Sequence, residues 1–428
     1  MKLVFILVGM LILLMTGIPI FAGLGLMATG LLVAVEGQIG SLAEIAFGKL
    51  NVYLLVCIPL FTFMAHVIIK AKVVDDLYAA VHGLVRHWPG GLGVATVLSC
   101  TVFAAISGSS VATALTIGTS AIPQMQRYGY PRRSAYGVVA AGGTLGILIP
   151  PSGPMILYGV VSNTSIGALF MGGIIPGLLV AVLFSIYCIF RSSGDAKQER
   201  LPRASWSEIS AVMRRAVWPL MLPPLILGGM YFGVFTATEA AGAGAIAAIF
   251  ISAAIYRSLT WGDLYEAAKE TVRTTSMLFM ILIGAAMFSH ALTILRLPAM
   301  LVESVTTMGV GPIAFILIIM AVIVILGMFL ETIAIILITT PILLPAIDAL
   351  GIDPVWYGVM LMINLELALI TPPVGMNLFV IKGIADAPII EVIRGALPYV
   401  LLMLVGLFTV LFWPELVLWL PRSMNYGL

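Results

Sequence analysis

The chain has 428 residues, of which 61% are hydrophobic and only 9% charged, with a formal net charge of +2. Soluble domains carry about 25% charged residues, so an ordinary water-soluble enzyme is excluded. A nucleic-acid surface is excluded too, because the basic residues sit in short loops without interleaved aromatics. Many apolar runs reach the roughly 18–20 residues that cross a bilayer, which defines an all-α polytopic membrane protein.

In chain order, the stretch KLVFILVGMLILLMTG is followed by no small-residue cleavage site, and the apolar run resumes at once. It reads as a retained helix rather than a signal peptide. Spans are expected near 3–16, 17–35, 50–69, 134–162 and 166–190. Segments 38–49, 72–88 and 258–272 carry charges on one face and are expected to lie along the membrane surface. Residues 92–123 are apolar but crowded with Ser, Thr, Gly and Ala around Ser107-Gly108-Ser109-Ser110, the pattern of a re-entrant hairpin. The run GTLGILIPPSG then places Pro150 and Pro151 inside an apolar helix. Each proline removes a hydrogen bond and clashes with the preceding turn, so the pair breaks the helix.

The pattern recurs 222 residues later: Pro123, Pro150, Pro151 and Pro176 match Pro345, Pro372, Pro373 and Pro398. Chance gives about one such match for this proline content, so the chain reads as two copies of one unit. Gly40, Gly129, Gly153 and Gly173 match Gly262, Gly351, Gly375 and Gly395, and Gly40-Ser-Leu42-Ala-Glu44 matches Gly262-Asp-Leu264-Tyr-Glu266. The unit spans about 3–190 and again 225–412. The organisation expected is repeat 1 over 1–190, a polar, basic linker over 191–215, repeat 2 over 216–412 and a tail over 413–428. Repeat 2 would hold a hairpin over 312–345 and a broken helix over 356–381.

Five crossings per copy is an odd number, so the second copy must lie upside down: two inverted-topology repeats, about ten transmembrane helices and two re-entrant hairpins. With the linker in the cytoplasm, 17 of the 21 Lys and Arg fall on that side. Lys2, Lys49, Arg296 and Arg422 fall on the other, together with both termini. The first hairpin then opens to the cytoplasm and the second to the periplasm.

In a membrane, broken backbone persists only where it is buried in protein or lines a cavity. Paired breaks in two halves point to a transporter's binding site. Freed carbonyls and hydroxyls suit Na⁺, and half-helix N-termini suit carboxylates. The expected Na⁺ ligands are Ser107, Gly108, Ser109, Ser110, Gly143, Thr144, Pro150, Glu331, Thr332, Thr371, Pro372, Gly375 and Met376. The substrate is expected at Ser110, Thr113, Pro151, Ser152, Thr332, Pro373 and Asn377. Intramembrane acids are expensive and usually functional, which singles out Glu331 and Glu366 and, near a span end, Glu239. Glu331 either compensates a cation, takes a proton, or bonds the backbone of its own hairpin.

Cys57, Cys100 and Cys188 match no disulfide or metal spacing and read as small apolar helix residues. His66, His82, His87 and His290 form no paired motif. His66 and His290 lie in apolar spans and read as packed or partnered side chains rather than ligands. An intramembrane enzyme would need a catalytic dyad or metal motif at this depth, and an open channel suits two inverted hairpins poorly. The reading is a transporter, with no cofactor and no transition metal.

The hairpin GSSVATA, the break GTLGILIPPSG, the second hairpin FLETIAIILITTPILLPAI and the second break ELALITPPVGMNLF occur in that order. As an ordered set over essentially the whole length, they resemble the large membrane subunit (DctM or SiaM type) of tripartite ATP-independent periplasmic (TRAP) transporters. The resemblance implies a Na⁺-coupled importer of a small organic acid, such as a C4-dicarboxylate, a sialic acid or a related sugar acid, in the bacterial inner membrane. It implies two partners, a periplasmic substrate-binding protein and a small four-helix membrane subunit (DctQ type). It also implies an elevator mechanism, with hairpins and broken helices on a mobile core and residues around 1–69 and 217–294 as the scaffold. The alternative is a stand-alone sodium-coupled carboxylate carrier of the same architecture.

Overall fold

The structure is a computed structural model that describes residues 6, 9–10, 12–13, 16–37, 40, 42–71, 73–193 and 202–424. The expected span 3–16, Ser41, Lys2, Lys72, Lys197, Arg200 and part of the linker lie wholly or mostly outside these residues. Every regular element among the described residues is helical.

Repeat 1 comprises α1 (Ile20–Glu36), α2 (Leu42–Leu50), α3 (Cys57–Lys70), α4 (Val73–Val85), α5 (Gly91–Ser107), α6 (Ser110–Arg127), α7 (Arg132–Leu148), α8 (Gly153–Ser162) and α9 (Ile166–Ser193). After α10 (Trp206–Leu220) come α11 (Leu222–Tyr231), α12 (Ala237–Phe250), α13 (Trp261–Ile294), α14 (Leu297–Thr307), α15 (Pro312–Gly327), α16 (Thr332–Ala349), α17 (Pro354–Leu369), α18 (Met376–Ala385), α19 (Ile389–Phe412) and α20 (Glu415–Ser423). The separation of 222 carries α6 onto α16 residue for residue and Pro150–Pro151 onto Pro372–Pro373, both with cis peptide bonds.

The inversion is visible in the contacts. Tyr158 near the end of α8 donates its hydroxyl to the Pro354 carbonyl at the start of α17, at 2.7 Å. Near its own start, α7 approaches the start of α19 so closely that a Cβ on Gly137 would collide with the Gly395 backbone. The two broken helices therefore enter from opposite sides, and their first halves meet end to end, with Glu366 of α17 accepting from the Leu148 amide of α7 at 2.9 Å.

The halves interlock. The broken-helix piece α8 packs against α16, and α18 packs against α6 and α7, so each second half-helix leans on the other copy's hairpin. Around this core, α1–α3 and α11–α13 pack mainly on one another.

Among the described residues, seven elements are long and apolar enough to cross a membrane: Tyr53–Lys70, Arg132–Ser162, Ile166–Ser192, Ala237–Ile255, Trp261–Ile294, Thr332–Ala349 and Ile389–Phe412. Six of these are expected crossings, and Thr332–Ala349 is the second arm of the second hairpin; the other four of the ten expected crossings are α1 (17 residues), α11 (10 residues), the α17–α18 pair and the N-terminal span.

Two expectations need correction. Segment 258–272 is not a separate surface helix. A capping box between Thr260 and Asp263 starts α13 there, and the helix continues for 34 residues. No proline interrupts it. The second half of the 191–215 linker is also helical. Ser205 and Glu208 form a capping box, α10 packs on α4, and Arg86 bonds the Pro202 carbonyl at 2.8 Å and Glu208 at 3.0 Å. The tail contains the short helix α20, where Arg422 and Glu415 pair at 2.6 Å. Glu239 has a local role as well: it closes a capping box with Thr236 at the start of α12.

Candidate functional site

The first hairpin turns on two residues. Gly108 ends α5 at φ 59°, and Ser109 caps α6 by accepting from the Ala112 amide at 3.4 Å. The left-handed φ favours glycine, and space requires it, since a Cβ on Gly108 would lie 2.6 Å from the Pro151 carbonyl oxygen. A Cβ on Gly146 would likewise lie 2.5 Å from the Ser109 backbone. The tip thus lies directly on the break of its own copy. Ser110 donates to the Thr144 carbonyl at 2.9 Å, and Ser107 pairs with Thr113 at 2.8 Å. At the break, Ser152 caps α8 by accepting from the Met155 amide.

The second hairpin has a longer turn, residues 328–331, and Glu331 at the N-cap of α16 makes no side-chain cap bond. Gly327 packs on Ala368, and Asn364 donates to the Met320 carbonyl at 2.9 Å. Position 374 is valine, which cannot cap. Gly375 takes the N-cap position of α18 at φ 55°, with its carbonyl accepting from Leu378 at 2.8 Å.

Both tips and both breaks reach one cavity of about 280 Å³. Its core wall includes Ser107, Gly108, Ser109, Ser110, Pro151, Glu331, Thr332 and Met376. The first residues of α6, α8, α16 and α18 line it, as do the last residues of α5, α7 and α17 or their neighbours: Ser107, Ile147 and Leu369. A helix N-terminus presents free amides and partial positive charge; a C-terminus presents free carbonyls. The cavity therefore offers donors for a carboxylate and oxygens for a hard cation side by side. The hydroxyls of Ser107, Ser109 and Ser110, with the carbonyl ends of α5 and α7, form an oxygen-rich set suited to Na⁺. At the second tip, Glu331 and Thr332 stand beside the α17 end. No group of three or more His, Cys, Asp or Glu that could hold a transition metal occurs among the described residues.

Other expected residues lie behind this wall. Thr144 is fully buried and bonds back to the Ala141 carbonyl at 2.7 Å, although its own carbonyl receives Ser110. Gly143 packs on Ala114, and Thr113 bonds the Ser109 carbonyl. Pro150 and Ser152 are buried beneath the first tip. Thr371 bonds back to Leu367 at 2.6 Å. Pro372 is half-buried and Pro373 exposed, both away from the cavity wall. Asn377 turns away, donating to the Ala140 carbonyl at 3.2 Å. Only Asn377 among them reaches into the other copy; Thr113, Thr144 and Thr371 turn back to carbonyls of their own copy, and Gly143 packs on Ala114 of its own hairpin.

Sequence reasoning missed the opposite wall. Scaffold residues Thr62 and His66 of α3 and Thr274 of α13 face the tips across the cavity. His66 thus lines the cavity, a placement that one histidine in an apolar span did not signal. Glu366, with no exposure, ties its Oε1 to the Leu148 amide while Oε2 has no partner. Its role as a cross-copy tie was also not visible.

Inverted copies with hairpin tips and helix breaks converging on one cavity define a membrane transporter. The fold agrees with a solved structure titled "Crystal structure of the Alcanivorax borkumensis YdaH transporter reveals an unusual topology", with a TM-score of 0.64 and 16% identity over 88% of each chain. The chain matches the family described as "Tripartite ATP-independent periplasmic transporter, DctM component" over residues 7–416, and it belongs to that family as a large permease subunit. It is 39% identical to the C4-dicarboxylate TRAP transporter large permease protein DctM of Pseudomonas aeruginosa, over 91% of each chain. It is 36% identical to the ectoine/5-hydroxyectoine large permease protein UehC of Ruegeria pomeroyi, over 86% of this chain and 85% of that one. It is 35% identical to the sialic acid large permease protein SiaM of Vibrio cholerae, over 98% of each. Permeases of this family work with a small membrane subunit and a periplasmic binding protein.

Proposed function

We propose that this subunit imports a small organic acid, driven by the sodium gradient, with the hairpins and broken helices sliding as one body against α1–α3 and α11–α13. The carrying observation is the convergence of four helix N-termini and three helix C-termini on one cavity between core and scaffold. The amides receive the substrate carboxylate, and the carbonyls with Ser107, Ser109 and Ser110 receive Na⁺. C4-dicarboxylates, sialic acid and ectoine carry a carboxylate and isethionate a sulfonate, so an anionic oxygen group is the shared requirement. The acid arrives on a periplasmic binding protein, and a small DctQ-type membrane subunit covers part of the scaffold. The protein lies in the bacterial inner membrane with both termini periplasmic.

The test is uptake into proteoliposomes by the complex of large and small subunits with its binding protein. Uptake should require an inward Na⁺ gradient and stop when Na⁺ is replaced by K⁺. Ser109→Ala should raise the half-saturating Na⁺ concentration while the complex still assembles. Unchanged sodium dependence in that variant would remove the cation site from the first tip. Uptake by this chain alone, without binding protein, would instead establish the stand-alone carrier.

A further inference from the structure

A second cavity, of about 390 Å³, lies on the same boundary between core and scaffold. Its scaffold wall carries Lys49 of α2 and Ser289, His290 and Thr293 of α13; its core wall includes Val161 of α8 and Pro341 of α16.

The two cavities lie in line. Helix α13 passes from Thr274 in the first to Ser289 in the second, a rise of about 22 Å. Helix α16 passes from Thr332 to Pro341, about 14 Å. A body sliding along α13 by such a distance brings the tips and breaks from one cavity to the other. The charge distribution puts Lys49, with Arg296, on the side away from the basic cytoplasmic loops. The second cavity is thus the outer one.

The two scaffold walls differ in chemistry. Among the described residues, the first cavity is lined by no Lys or Arg. The second has Lys49, half-buried and in no ion pair among the described residues. Burial pulls its ammonium below the usual lysine range. His290 and two hydroxyls stand beside it.

We propose that this cavity is the outer station of the substrate, where Lys49 and His290, with Ser289 and Thr293, hold the carboxylate of the organic acid against the hairpin tips before the core moves inward. The proposal rests on the sliding-core reading above. A fixed cation outside and none inside favours capture at the periplasmic face and release at the cytoplasmic face.

The experiment has two arms in the reconstituted complex. In the first, Ala112→Cys is paired with Met277→Cys or with Ser289→Cys, and a short bifunctional thiol reagent is added. Ala112 and Met277 line the first cavity; Ser289 lies about 18 Å further along α13. Both pairs should bridge, each trapping a different position. In the second arm, uptake of succinate and N-acetylneuraminate is measured at saturating loaded binding protein. Lys49→Gln, and more so Lys49→Gln with His290→Gln, should lower uptake at least tenfold with half-saturating Na⁺ unchanged, and Lys49→Arg should keep it. If the Ser289 pair never bridges while the Met277 pair does, the sliding-core reading fails and the station with it. If the Ser289 pair bridges but both glutamine variants transport normally, the station is refuted and the sliding core stands. If Lys49→Arg is as impaired as Lys49→Gln, the side chain serves packing and the proposal is overturned.

Discussion

The two Pro-Pro breaks share sequence and backbone but not surroundings. The first is sealed: residues 149–152 are buried, Ser152 caps the next half-helix, and Gly108 sits on the Pro151 carbonyl. The second is open: Pro373 and Val374 are exposed, valine replaces the capping serine, and a four-residue turn covers the break less closely. Glu366 sharpens the contrast. It reaches from the second copy to the first break, whereas the side chain of its counterpart Thr144 bonds only its own helix. A repeated backbone therefore carries two environments, one a fixed floor and one a yielding rim.

Substitutions can break this comparison, in order of expected size. Gly108→Ala should be the most severe, because a positive φ and a Cβ 2.6 Å from the Pro151 oxygen act together. The expected loss is about 3 kcal/mol or more, read as a lowered melting temperature of the purified complex. Glu366→Leu should follow, at about 1–3 kcal/mol, because the buried Leu148 amide loses its acceptor. Glu366→Gln retains an acceptor and should melt close to wild type; equal loss in both would show that the amide bond is not the link. The paired glycines give the sharpest contrast. Gly375→Ala meets a φ of 55° with Leu378 at 2.8 Å, and should cost about 1–2 kcal/mol. Gly153→Ala, its counterpart, meets nothing within 4 Å and should stay within about 0.5 kcal/mol of wild type. Equal melting shifts for the two would refute the claimed difference. Ser110→Ala should cost about 1 kcal/mol, and its main effect should be a raised half-saturating Na⁺ in uptake.

What was legible in the sequence is what proline and glycine dictate. Pro150–Pro151, Pro372–Pro373, Gly108 and the separation of 222 mark backbone events that no neighbour can override, so hairpins, breaks and repeat could be read directly. Facing could not be. Asn377 and Ser110 look alike as polar residues beside breaks, yet one turns toward Ala140 and the other lines the cavity. The continuity of α13 was hidden because its charged beginning mimics a surface helix, while its capping box and the lack of proline keep it intact. Lys49, His66 and His290 gained significance only when packing placed them on cavity walls.

The interlocking of α8 with α16 and of α18 with α6 has a consequence for what a single copy can be. One copy alone lacks the main surface on which its second half-helix leans. Its complement is another copy in the opposite orientation. The smallest complete unit of this architecture is therefore a pair of antiparallel protomers, and this chain is such a dimer written in one reading frame. Two halves expressed as separate polypeptides should find each other in the membrane, and neither should form the cavity alone.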